Sequence, residues 1–202
     1  MTTHAITSGT GFGLLTPADW YRIPLHPAAQ RTASIKAMVD RQFTGVDNQP
    51  ILRRKTEEEL QGAAAAGAEQ GGVTLYLSYL DAAGVPLSAS LLVSLVPQHA
   101  DPLRTATALT ARGGATEVDL PAAGRATRRR RTERSRQTQK LGSTFADTIV
   151  EYFVPVPGRP ELLLLTFSTP LEPLADEMTG LFDAVAGTLR WPRTATAGEA
   201  AG

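Results

Sequence analysis

Cysteine is absent from the 202 residues of this chain. That one omission excludes disulfides, thiolate-bound metals and a cysteine nucleophile together. It suits a reducing compartment, and a cytoplasmic location is the expectation. Histidine is scarce too, at His4, His26 and His99 only. None of the three has a second His, Asp or Glu at metal-ligand spacing. They read as loop or surface residues, and no metal site is expected. Lysine is confined to Lys36, Lys55 and Lys140. No apolar run approaches the ~20 residues that a membrane-spanning helix needs. The longest, at 161–167, is strand length, so no membrane span is expected. The first residues carry neither a basic start nor an apolar stretch of leader length.

Catalytic signatures are missing as well. The stretch Gly9-Thr-Gly-Phe-Gly13 contains Gly-x-Gly, but Leu14 stands where a dinucleotide fingerprint needs its third glycine. It reads as a flexible lead-in. There is no Walker motif and no Gly-x-Ser-x-Gly elbow. Ser88, Ser90 and Ser94 alternate with apolar residues and read as one face of a strand. Glu57, Glu58 and Glu59 are consecutive, so they fan around a helix instead of converging on a substrate. Asp19 reads as a turn residue. Asp183 reads as an exposed helix position, or else as a polar contact at a groove. Neither an enzyme nor a cofactor is expected from this inventory.

What remains is a chain with 42% hydrophobic and 20% charged residues, long enough for one domain with a substantial core. The expected organisation is a loose start over 1–10, one α+β domain over 11–192 and a loose tail over 193–202. Short strands are expected on either side of the Pro17-Ala-Asp19 turn, with Trp20 in the core. Pro27 opens a helical pattern in which Ile35, Met38, Val39 and Phe43 share a face. A second helix is expected from Asn48 as cap, with Leu52, Leu60, Ala63, Ala64 and Gly67 on its packing stripe. Its small-residue end, 62–67, would let it lie close to a sheet.

Strands follow at 73–80 and 87–96 around a hairpin loop. A short helix is expected at 102–111 and a short strand at 116–120. The clearest hairpin pairs 148–154 with 161–168, and the leucine run suggests a central strand covered on both faces. A final helix carries Leu174, Met178, Leu181, Phe182, Val185 and Leu189 at strict helical spacing. Acids sit at its start, and Arg190 and Arg193 follow its end, as the macrodipole favours. Strands in adjacent runs, without β-α-β alternation, give an α+β fold: a mainly antiparallel sheet packed by helices.

The conspicuous polar feature lies at 125–140. Net charge is zero overall, yet this segment holds eight basic residues against Glu133 alone, a balance of +7, leaving −7 for the rest. A strand here puts Arg129 and Arg131 on one face and Arg128 and Arg130 on the other. Both faces cannot be apolar core, so the segment reads first as a solvated edge hairpin that blocks edge pairing. It runs into a Ser/Gln/Thr loop at 132–143. The alternatives are a contact for an acidic protein, or for nucleic acid or anionic lipid, through Arg128, Arg129, Arg130, Arg131, Arg134 and Arg136. Aromatics are absent from it, so it offers no stacking platform for bases.

The opening Gly-Phe-Gly-Leu-Leu-Thr-Pro-Ala-Asp-Trp20 resembles the strand, Pro, x, x, Trp start of PsbP-like domains. The ending is similar too: Val-Glu-Tyr-Phe-Val-Pro155, then Leu-Leu-Leu-Thr-Phe-Ser-Thr-Pro170, then Leu-Phe-Asp-Ala-Val-Ala-Gly-Thr-Leu-Arg-Trp191. That superfamily includes photosystem II extrinsic proteins, DcrB-type bacterial proteins, mycobacterial lipoproteins and type VI secretion effector chaperones. The chain departs from it in lacking a lipobox cysteine, and in its two-helix insertion and arginine-rich segment. The resemblance implies an α/β/α sandwich and a non-catalytic role in binding a protein partner, as adaptor or chaperone for a secreted or assembled protein. A structural place in a larger assembly is the further alternative, and oligomeric state is not legible.

Overall fold

The computed structural model describes residues 2–5, 11–45, 49–82, 85–97, 114–134 and 146–192. Strands β1 (Thr2–Ala5) and β2 (Gly11–Leu14) form a small antiparallel pair. The main sheet uses β3 (Trp20–Pro24), β4 (Gly72–Ala82), β5 (Val85–Pro97), β6 (Ala115–Leu120), β7 (Gly124–Glu133), β8 (Asp147–Pro155) and β9 (Glu161–Thr169). Its order is β3-β4-β5-β9-β8-β7-β6, and every neighbouring pair is antiparallel. Helices α1 (Ala28–Gln42) and α2 (Pro50–Glu69) lie between β3 and β4 in sequence; α3 (Ala175–Gly187) follows β9 after a 3-10 turn at Glu172–Leu174.

Side-chain alternation along the strands builds a separate core on each face. On one face Ile23 and Leu25 meet Ile35, Met38 and Val39 of α1 and Ala64 of α2, with Leu75, Leu77 and Leu92 beside them. On the other, Tyr76, Leu91, Val93, Val150, Tyr152, Leu163, Leu165 and Phe167 pack on Met178, Phe182, Val185 and Leu189. Phe182 stacks on Phe167 with centroids 4.9 Å apart, and Trp20 meets the edge of Phe167 at 6.5 Å. The result is the expected α+β fold, a sandwich of helix, antiparallel sheet and helix.

The leucine-rich β9 is the fourth of the seven strands, with Leu162, Leu163, Leu165 and Phe167 all buried, as its continuous apolar run requires. Small residues let α2 approach the sheet: a Cβ on Gly72 would lie 2.5 Å from the Gly67 carbonyl oxygen and 2.8 Å from Leu25 Cδ1.

Four expectations need correction. Residues 2–5 are not a loose start, because β1 pairs with β2 from Thr2↔Leu14 to Ala5↔Gly11. Gly11–Leu14 is the strand expected before the Pro17-Ala-Asp19 turn, so the reading of Gly9–Gly13 as a flexible lead-in is corrected over Gly11–Gly13; Gly13 exchanges backbone hydrogen bonds with Arg190 at 2.8 and 3.0 Å, and a Cβ there would sit 2.9 Å from Arg190 Nε. On α2, Leu52 is 49% exposed and Ala63 is also exposed, because the helix touches the sheet mainly through its C-terminal half at Leu60, Ala64 and Ala68. Fourth, β7 is an inner strand, and β6 forms the edge beyond it. The expected helix at 102–111, Asn48, Arg193 and the tail lie outside the described residues.

Candidate functional site

The β7 arginines alternate as the sequence requires, and each face meets acids. Arg129 sits opposite Glu151 of β8 and donates to its carboxylate at 2.7 Å. Arg131, on the same face, donates to Glu151 at 3.4 Å and also to Glu133. The guanidinium of Arg129 lies 5.6 Å from the Phe153 ring centroid, within cation–π range. Glu151 is 6% exposed, so its charge is screened mainly by these two arginines.

The other face points toward α3. Arg128 grips Asp183 with two bonds, Nε to Oδ1 at 2.9 Å and Nη2 to Oδ2 at 3.2 Å. The Tyr152 hydroxyl donates to the same carboxylate. Arg130 donates to Asp176 at 2.7 Å, near the start of α3. Burial pulls the Arg128 guanidinium down, but its bonds to Asp183 and Tyr152 outweigh that and hold it above its ordinary value. For Tyr152, burial first and the Asp183 carboxylate second push the phenol above its ordinary value.

Four of the six arginines singled out from sequence therefore hold carboxylates of β8, β7 and α3. Their charge ties layers together before any external anion arrives. Arg134 is exposed at the end of β7, and Arg136 lies outside the described residues. The acids Glu151, Asp176 and Asp183 are far from the arginines in sequence, so no local pattern pointed to the pairing. Asp183 is the polar contact, with 45% of its side chain still accessible.

A second feature was missed entirely. Between α2 and the sheet runs a groove of about 600 Å³. Its floor crosses β4, β5, β9 and β8 through Leu75, Leu77, Leu92 and Ile149, with Thr166, Ser90 and Ser168 among them. Helix α2 supplies the wall through Glu59, Leu60, Ala63, Ala64 and Gly67. The hydroxyls of Ser90 and Ser168 are 2.7 Å apart and satisfy one another across β5 and β9. Two carboxylates, Glu59 and Asp147, line the groove, and among the described residues no Lys or Arg does. Only the serines of β5, alternating with apolar residues, hinted at a mixed floor; the wall is supplied by α2, a separate element before β4, beyond the reach of local pattern.

A smaller cavity of about 270 Å³ opens at the β3 edge beside Asp19, Tyr21, Met38 and Arg41. Among the described residues, no three of His, Cys, Asp and Glu converge as a metal site would require. Among the same residues no helix is long and apolar enough to cross a membrane.

No family model matches the chain, and no curated protein does. Among solved structures it is similar to LpqN, involved in cell envelope biogenesis of Mycobacterium tuberculosis. The identity is 11%, with 95% of this chain and 90% of that chain covered and a TM-score of 0.48.

Proposed function

We propose that this protein is a non-catalytic protein-binding module that holds an apolar segment of a partner in the groove between α2 and the sheet, as an adaptor or chaperone does. The groove itself is the observation that carries the reading. A volume of about 600 Å³ lies within the ~300–1,000 Å³ of ligand sites, and its floor is mainly apolar with a few polar groups. The PsbP-like resemblance of the two ends of the chain supports the same reading, and with it a place in that superfamily. Glu151, Asp176 and Asp183, the acids that meet the arginine strand, are engaged by its guanidiniums, which supports a structural use of these three over acid–base chemistry.

The test uses a fluorescent peptide of alternating Leu and Gln, which carries apolar side chains and no charge. Saturable binding is expected, weakened at least ~10-fold by Ala63→Trp, which fills the groove from an exposed position on α2. Unchanged binding in that variant, with its helical and strand signal intact, removes the groove from the reading. Salt-sensitive binding of an oligonucleotide in place of the peptide would instead favour a polyanion role for the arginine strand.

A further inference from the structure

Resting on the groove as the binding site, we infer that its occupant is a basic protein segment, one that carries Lys or Arg beside its apolar side chains. Three observations converge on that chemistry.

The lining is one-signed. Glu59 and Asp147 are its charged residues, and among the described residues neither lies in an ion pair. Lys55 stands one turn before Glu59 on α2, but it is not part of the lining, and among the described residues it forms no ion pair with Glu59. Beyond Asp147 on the same sheet face, Arg129 and Arg131 are already opposed by Glu151 and Glu133. Along α2, Arg54 lies against Glu58. Among the described residues the charges of the groove lining are thus acidic alone, in a chain of zero net charge.

The two acids come from different elements of the lining. Glu59 projects from the helical wall, while Asp147 begins β8, three strands across from β4 in the sheet. At ~4.8 Å between strands, that floor is roughly 14 Å wide. A ligand with a single cationic head satisfies one carboxylate and leaves the other facing apolar surface. A peptide segment reaches both, since ~4 extended residues span that width.

The floor suits side chains of a peptide. Leu77, Leu92 and Ile149 give separate apolar contacts, each on a different strand, and Thr166 stands among them. Apolar side chains settle on the former while flanking cations reach the rim, where exposed Glu59 and partly exposed Asp147 attract them without full desolvation.

Three labelled peptides of equal length decide the matter: Leu alternating with Lys, with Gln or with Glu. The Lys peptide is expected to bind about tenfold more tightly than the Gln peptide at physiological salt, and the Glu peptide more weakly than either. In the Glu59→Gln/Asp147→Asn protein the Lys peptide is expected to bind no more tightly than the Gln peptide does to the same variant. Glu59→Gln alone, at an exposed helix position, gives an intermediate loss and guards against misfolding of the double variant. A Glu peptide that binds as well as the Lys peptide overturns the inference while leaving the groove as the site. So does a Lys preference that survives both substitutions. Absence of binding by all three overturns the groove reading itself.

Discussion

Glu151 is the acid on which two arginines converge, and its burial makes it the most sensitive polar residue of the sheet. Removing one partner of a buried pair costs ~3–5 kcal/mol because the remaining charge is left without compensation. Arg129 and Arg131 keep 27% and 37% of their side chains in solvent, which lowers that figure. Glu151→Ala is therefore expected to lower unfolding free energy by about 2 kcal/mol in urea titration. Arg131→Ala, at the more exposed partner with the longer bond, should cost less than half as much; equal losses would place the network outside the sheet's stability. The tyrosines give a separate pH signature. Burial favours the neutral phenol of Tyr76, pushing it up to about 12, against the opposing pull of Arg22. Burial and Asp183 do the same for Tyr152. A folded value above the unfolded value means that this contribution is complete below pH ~10 and is lost as pH rises through the folded values. Ultraviolet titration should find both phenols ionising late, and Tyr76→Phe and Tyr152→Phe should each remove one late step. A late amplitude unchanged in either variant refutes that assignment.

At the scale of elements, what was legible and what was not divides by the range of the information. Strand β9 announced its central place because both of its faces are apolar, and α3 announced its packing stripe because Met178, Phe182 and Val185 recur at helical spacing. Strand β7 announced its alternation but not its position. An arginine-bearing strand reads as an edge only while its partners are unknown, and Glu151, Asp176 and Asp183 lie 20 to 55 residues away. Once those acids are supplied, an inner strand can carry charge on both faces. Helix α2 failed in a complementary way. Leu52 fell on the apolar stripe, yet the helix meets the sheet near its other end, where Gly72 and Gly67 permit close approach. Periodicity gives a helix its face but not the part of its length that is covered. The candidate groove was illegible for the same reason: it is the space left between α2 and strands β4, β5, β9 and β8, and no single element contains it.

Across the whole molecule, one sheet separates two cores that share a backbone but few side-chain neighbours. Ile35 lies fully buried beneath α1 on one face, and Met178 is 4% exposed beneath α3 on the other. Ile35→Val should cost about 1 kcal/mol and Met178→Ala about 3 kcal/mol, from lost transfer energy and the cavity left behind. Strain in either layer can reach the other only through the hydrogen-bonded strands, which are seven deep and antiparallel throughout. Distant sites without shared partners add within ~0.5 kcal/mol. The double variant is therefore expected to lose about 4 kcal/mol in urea titration, with an unchanged denaturant slope. That slope matters as much as the sum. A reduced slope would mean that one helical layer detaches before the sheet unfolds, and a sum short by more than ~1 kcal/mol would mean that the two faces communicate through it. Additive losses at constant slope instead make the sheet a rigid partition, so that a segment seated against α2 leaves the α3 core undisturbed.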